Sequence, residues 1–125
     1  MIWTLIQVAL GGAVGASGRY LTHIGVTRLT GAEWPYGTVV INVLGSLVMG
    51  LLYAALLERG ISRHTPWLIT GALGGFTTFS AFSLDTLVLV EKGQGGLALL
   101  YVVASVGLSL LAMVAGLALG RGIWA

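Results

Sequence analysis

The segment that decides the fold runs from residue 71 to residue 86 and reads Gly71-Ala72-Leu73-Gly74-Gly75-Phe76-Thr77-Thr78-Phe79-Ser80-Ala81-Phe82-Ser83-Leu84-Asp85-Thr86. Its two adjacent glycines are followed by two β-branched threonines, and this combination weakens an α-helix at one point. Lipid cannot hydrogen-bond the backbone groups that a break frees, so these groups must face protein or a water-filled cavity. We therefore predict a membrane helix broken near residues 74–78. Such breaks commonly hold ions, and a tolerated glycine kink is the alternative interpretation.

The composition of the whole chain agrees with a membrane protein. Of its 125 residues, 57% are apolar and only 8% are charged, whereas a soluble domain has about 25% charged residues. The chain has no cysteine, which excludes disulfides and thiolate metal sites. Its six lysines and arginines are scattered, so we expect no nucleic-acid partner. With two histidines, four acidic residues and no evident acid/base pair, we also expect no enzyme.

Charged residues divide the rest of the chain into apolar stretches. Each stretch is close to the roughly 20 residues that an α-helix needs to cross a bilayer. The predicted spans are residues 2–20, 38–57, 67–90 and 97–119. The sequence therefore predicts an all-α membrane protein whose residues 1–125 form a single four-helix domain, with the third helix broken near the middle of the membrane.

The charges of the loops hardly predict which way the chain is oriented in the membrane. Arg59, Arg63 and Arg121 lie on the predicted side of the N-terminus. The opposite side carries the same number of basic residues, namely Arg19, Arg28 and Lys92. The positive-inside rule therefore favours neither orientation. Either other factors fix one orientation, or the chain inserts both ways and pairs with an inverted copy of itself.

Small residues recur four positions apart within the predicted spans. The pairs are Gly11 and Gly15, Ser46 and Gly50, Gly71 and Gly75, and Gly116 and Gly120. Such pairs let two helix backbones approach closely in lipid. Contacts within one chain would use most of them, but four helices rarely enclose a polar path alone. We therefore also expect a homo-oligomer.

Polar and aromatic side chains form tracks along the spans. Phe79 and Phe82 fall on one helix face, and the positive edge of a phenyl ring stabilises an anion weakly. In the fourth span a stripe of hydroxyls follows at intervals of four, namely Tyr101, Ser105 and Ser109. Asn42 is the one strongly polar residue of the second span. The alternatives are plain packing for the phenylalanines, bonds back to the helix for the serines and a contact between helices for Asn42.

Three motifs resemble those of a known family. They are Gly15-Ala16-Ser17-Gly18-Arg19-Tyr20, Gly37-Thr38-Val39-Val40-Ile41-Asn42-Val43-Leu44-Gly45 and Gly74-Gly75-Phe76-Thr77-Thr78-Phe79-Ser80-Ala81-Phe82-Ser83. Together with the length, the number of spans and the motif order, they resemble the Fluc/CrcB fluoride channels. The segment around the two threonines is the specific part, because small-residue pairs alone are common.

The resemblance implies a dual-topology, antiparallel homodimer with two pores. It implies passive fluoride export across the bacterial inner membrane, and a structural sodium ion held at the dimer centre by the backbone carbonyls of Gly74 and Thr77. Arg19 matches the family's first-helix arginine. The implied fluoride pathway consists of Asn42, Phe79, Ser80, Phe82, Tyr101, Ser105 and Ser109.

Two positions depart from the family pattern, and two other functions remain as alternatives. Ala81 stands where some relatives carry threonine, and Asp85 stands where others carry glutamate. A proton-coupled small multidrug transporter also has four helices, but it needs a titratable carboxylate, typically in the first span, which has none here. A non-transporting assembly subunit would need the packing glycines and not the polar tracks.

Overall fold

The computed structural model describes residues 1–60 and 62–124, and this part of the chain is almost entirely helical and contains no strand. The elements are α1 (Ile2–Thr30), α2 (Tyr36–Arg59), a 3₁₀ turn (Ser62–His64), a π-helical segment (Pro66–Leu73), α3 (Gly74–Phe76), α4 (Ser80–Glu91) and α5 (Gly95–Trp124). Three helical stretches are long and apolar enough to cross a membrane, namely Tyr36–Arg59, Ser62–Glu91 and Gly95–Ile123. The prediction of an all-α protein with membrane spans is confirmed.

Helix α1 is longer than the first predicted span. It contains 29 residues and continues to Thr30, well beyond residue 20, where the first predicted span ends. The helix ends only at Gly31, whose φ of 85° favours glycine. Charged Arg19 does not stop the helix, because a helix can continue beyond the hydrocarbon layer into water. Helix α1 is long enough to span a bilayer but is not among the three apolar stretches. The count of four spans therefore stays a prediction.

The break in the third span lies slightly later than predicted. Gly74 and Gly75 are helical, and the interruption covers residues 77–79, where the backbone of Thr77 is extended with φ −76° and ψ 156°. The predicted interval 74–78 is therefore right only at its end. Gly75 serves close packing instead, because a Cβ at this position would lie 2.8 Å from the carbonyl oxygen of Gly12.

The small-residue pairs form the contacts between helices within one chain. A Cβ on Gly71 would lie 3.0 Å from the Cα of Gly11, which places α1 against the π-helical segment. A Cβ on Gly116 would lie 3.1 Å from the Cα of Gly50, which joins α5 to α2. Any larger side chain at these positions would push the backbones apart. The two helix pairs thus fix the positions of α1, α2 and α5 around the break.

Candidate functional site

The side chain of Asn42 closes the break from the middle of α2. Its Nδ2 donates to the carbonyl oxygen of Thr78 over 2.9 Å, and its Oδ1 accepts from the Thr78 amide over 2.8 Å. A carboxamide presents the same donor and acceptor as a peptide group, so it satisfies both backbone groups that the break frees at Thr78. Asn42 therefore makes the predicted contact between helices, and one Nδ2 hydrogen remains for another acceptor.

The hydroxyl of Thr78 lies at the start of α4, the second half of the broken span. Its Oγ1 accepts from the backbone amide of Ala81 over 3.2 Å, as an N-terminal capping side chain does. The same oxygen lies 3.5 Å from the Oγ of Ser80, which is exposed. Helix α4 thus starts at a fixed position relative to Asn42, and the Ser80 hydroxyl lies beside the break.

Two carbonyl oxygens at the break are suited to a cation. The Arg19 Nε donates to the carbonyl of Gly75 over 3.2 Å, whereas both the amide and the hydroxyl of Thr77 donate to the carbonyl of Leu73, each over 3.0 Å. Within residues 1–60 and 62–124, no hydrogen bond reaches the carbonyl oxygens of Gly74 or Thr77. Unpaired carbonyls at a broken membrane helix are the ligands that Na⁺ takes in such sites. The residues present therefore fit the implied sodium ion.

A cleft of about 380 Å³ opens beside the break, and we call it the inner cleft. Its lining contains amide, hydroxyl, aromatic and aliphatic side chains but no charged one. The lining residues are Asn42, Gly45, Ser46, Met49, Thr77, Thr78, Phe79, Phe82, Ser105, Val106, Ser109, Leu110 and Met113. Five of the seven predicted pathway residues thus lie together here, and Ser80 and Tyr101 do not line this cleft.

The two predicted phenylalanines touch each other at the inner cleft but differ in exposure. Their ring centroids are 5.5 Å apart, with the planes inclined at 56°. Phe82 is 9% exposed, whereas Phe79 is 77% exposed although it lies at the break. Phe79 is therefore a large apolar side chain on an uncovered surface of the single chain.

The hydroxyl of Ser105 is buried without a partner. The residue is 4% exposed, and its Oγ makes no hydrogen bond within the part of the chain that the structure describes. Leaving such a group unsatisfied costs about 1–3 kcal/mol. Because Ser105 lines the inner cleft, an acceptor or a water in the cleft would supply the missing bond.

Tyr101 leaves the predicted stripe of hydroxyls. Its side chain is fully buried, and its hydroxyl donates to Asp85 Oδ2 over 3.0 Å. The Thr38 hydroxyl donates to the same oxygen over 2.7 Å. Of the three residues of the stripe, only Ser105 and Ser109 therefore line the inner cleft. Thr38 was not singled out from the sequence, because nothing in its motif distinguishes it from a packing residue.

Two further clefts share lining residues with the inner one or with each other. The middle cleft, of about 390 Å³, is lined by Ala16, Arg19, Tyr20, His23, Thr38, Ile41, Thr78, Ala81 and Asp85. The outer cleft, of about 200 Å³, is lined by His23, Thr27, Ala32, Glu33, Trp34, Pro35, Gly37, Asp85, Val88, Leu89 and Lys92. Thr78 lines both the inner and the middle cleft, and His23 and Asp85 line both the middle and the outer cleft.

The sequence is similar to a known family and to named proteins. The family described as "CrcB-like protein, Camphor Resistance (CrcB)" matches residues 6–117. A protein of Cereibacter sphaeroides named "Fluoride-specific ion channel FluC" is 58% identical, and the alignment covers 98% of each chain. Proteins with the same name are 54% identical in Paracoccus denitrificans, over 98% of each chain, and 47% identical in Caulobacter sp. strain K31, over 96% of each.

Proposed function

This chain belongs to the CrcB family, and on that premise we propose that it is a fluoride-specific channel through which fluoride leaves the cell passively across the bacterial inner membrane. Its named relatives are ion channels rather than enzymes. The apolar helical stretches agree with a multi-pass membrane protein, as a channel must be. We infer the activity of this chain from the name of these relatives and derive a mechanism from its own residues.

One observation of the structure carries the proposal. The buried Ser105 hydroxyl lacks a partner and lines a cleft that it shares with Asn42, Phe79 and Phe82. Hydroxyl, amide and phenyl-edge groups all present positive hydrogens to an anion. None of them is charged, so an anion bound there can also leave, as conduction requires.

Fluoride gains more from these groups than larger halides do. A bare charge at the bilayer centre costs from about 3 to above 10 kcal/mol, so hydrogen-bond donors must replace the lost water. Fluoride is small and hard, and it makes shorter hydrogen bonds than chloride. In this mechanism the Asn42 amide and the hydroxyls replace the water shell, the edges of Phe79 and Phe82 complete it, and a narrow bore rejects chloride by size.

The channel in this proposal is an antiparallel homodimer with two pores. The equal numbers of basic residues on the two sides allow insertion both ways. Phe79 is 77% exposed beside the break, where a second copy would cover it. Each pore would then combine groups of both copies, and the Ser80 hydroxyl and the Tyr101–Asp85 pair would lie along its course.

A structural sodium ion is part of the same proposal. The unpaired carbonyls of Gly74 and Thr77 would hold it, with the same two carbonyls of the second copy completing the shell. Arg19 would keep the neighbouring Gly75 carbonyl in place. The ion would hold the two broken helices together at their crossing and would not be transported.

A small multidrug transporter and a non-transporting subunit fit less well. Helix α1 contains no aspartate or glutamate. Asp85, on α4, is held by two hydroxyl donors instead of being free for proton exchange. A subunit that only packs would need no unpartnered hydroxyl beside a cleft.

Fluoride efflux from proteoliposomes, measured with a fluoride electrode, tests the proposed activity. Vesicles that contain the protein should lose fluoride rapidly when a potassium ionophore balances the charge, and protein-free vesicles should not. Assembled protein that gives no efflux would contradict the proposal.

Cysteine labelling tests the proposed topology, because the chain has no cysteine of its own. A single cysteine at Ser62, in the turn after α2, should react in part from outside intact cells and in part only after the cells are opened. Complete reaction or complete protection in cells would show one orientation and exclude the antiparallel dimer.

A further inference from the structure

The middle and outer clefts share two lining residues. His23 on α1 and Asp85 on α4 line both clefts, and we call the position of this pair the neck. An ion that moves through both clefts would pass an imidazole and a carboxylate there. His23 lies beyond the first predicted span, residues 2–20, and is not among the predicted pathway residues, but it is part of α1.

The position of His23 follows from α1 and from the start of α2. Arg19, His23 and Thr27 are spaced by four residues and lie on one face of α1, and all three line the middle or outer cleft. A Cβ on Gly37 would lie only 2.6 Å from the His23 Nδ1. The imidazole therefore lies directly against the α2 backbone, at a place where only glycine leaves room for it.

The two charged side chains of the middle cleft have hydrogen-bond partners. Asp85 Oδ2 accepts from Thr38 and Tyr101, and the Arg19 Nε donates to Gly75. Among the hydrogen bonds of the described residues, none uses the His23 ring. An imidazole carries at least one N–H donor in either of its common protonation states. The His23 ring thus has an N–H donor without a partner among the described residues, in the two clefts that it shares with the Asp85 carboxylate.

We propose that His23 is a pathway residue at the neck, where its N–H offsets the Asp85 carboxylate and sets the rate at which fluoride enters the middle cleft. This inference rests on the proposed fluoride channel. Lys92 and Glu33 line only the outer cleft and Arg19 only the middle one, so His23 is the donor that shares both of these clefts with Asp85.

Replacement of His23 by an apolar residue tests the donor role. H23L should lower fluoride efflux from proteoliposomes about five- to tenfold, because it leaves the carboxylate unopposed. The control is H64L, since His64 lies in the 3₁₀ turn and lines none of the three clefts. H64L should conduct like the unmodified protein. Equal efflux in H23L and H64L, with both dimers intact, would overturn the proposal.

A cysteine at position 23 separates charge from size. H23C can be modified with thiol reagents of similar size that carry a positive or a negative charge. The cationic adduct should conduct at least about threefold faster than the anionic one. Equal rates for the two adducts would overturn the proposal, because they would show that the neck does not sense charge.

Labelling also tests the position of His23 without any fluoride measurement. H23C should react rapidly with membrane-impermeant reagents, whereas L111C, on an exposed apolar part of α5, should react slowly when it faces lipid. If H23C is labelled as slowly as L111C, the result would overturn the proposal that residue 23 lies in an aqueous neck. If the unmodified protein conducts no fluoride but H23C reacts rapidly, the proposed function fails while the aqueous neck stands.

Discussion

The inner and middle clefts both include Thr78 in their lining but differ in their chemistry. The middle cleft is lined by Arg19, His23 and Asp85, whereas the inner cleft has no charged side chain. Charged groups cost least near water, and neutral donors cost less than charges at membrane depth. In the proposed channel, the charged groups would therefore attract the ion before it reaches the break, where neutral groups would replace its water.

Thr78, which lines both clefts, is held by Asn42. Asn42 binds both backbone groups of Thr78, so the position of the break is fixed relative to α2. Around it, glycine contacts fix α1 against the π-helical segment and α2 against α5. These close glycine contacts thus surround the short irregular stretch of residues 77–79, whose remaining polar groups can bind other partners.

The largest expected effect comes from a charge placed in the neutral cleft. N42D should lower fluoride efflux at least about 100-fold, because a carboxylate cannot donate to Thr78 and repels the anion. Efflux from proteoliposomes is the measurement, and size-exclusion chromatography checks assembly. The control is S46A, because Ser46 lines the same cleft but takes no part in the hydrogen bonds of Thr78. Efflux of N42D within threefold of the unmodified protein would contradict the account.

The ring edge of Phe79 should contribute to fluoride efflux, whereas that of Phe76 should not. F79I should lower efflux about tenfold, because isoleucine keeps the bulk but loses the positive ring edge. Phe76 lies only three residues earlier and does not line the inner cleft, so F76I is the matched control. If both variants lose efflux equally, ring packing rather than anion contact explains the effect.

Removal of the unpartnered hydroxyl should separate stability from transport. S105A should lower efflux about three- to tenfold, since it removes a donor to the ion. It should not lower the melting temperature, because it also removes a buried polar group that has no partner. S17A, on an exposed part of α1, should change neither quantity. A large loss of thermal stability in S105A would assign the hydroxyl a structural role.

The smallest effect is expected outside the inner cleft. Y101F removes one of the two donors to Asp85 and should cost about 1 kcal/mol of stability, with only a few-fold change in efflux. Y53F is the control, because Tyr53 is 48% exposed on α2. Efflux of Y101F as low as that of N42D would place the Tyr101 hydroxyl in the main path.

Local patterns in the sequence predicted an all-α protein with a broken span, and five of the pathway residues implied by the family resemblance line the inner cleft. Residues spaced by four on one helix share a face, so Ser105 and Ser109 could be grouped in advance. The exact site of the break could not be predicted, because it depends on Asn42, which lies far from Thr78 in the chain. Tyr101 left its stripe for the same reason, since its partner Asp85 lies on another helix.

Paired release of two halides tests the central claim most directly. Vesicles loaded with equal fluoride and chloride should lose fluoride through the unmodified protein while they retain chloride, with both ions followed by selective electrodes in one sample. Release of both halides at similar rates would show that the inner cleft does not select the anion that binds short donors best.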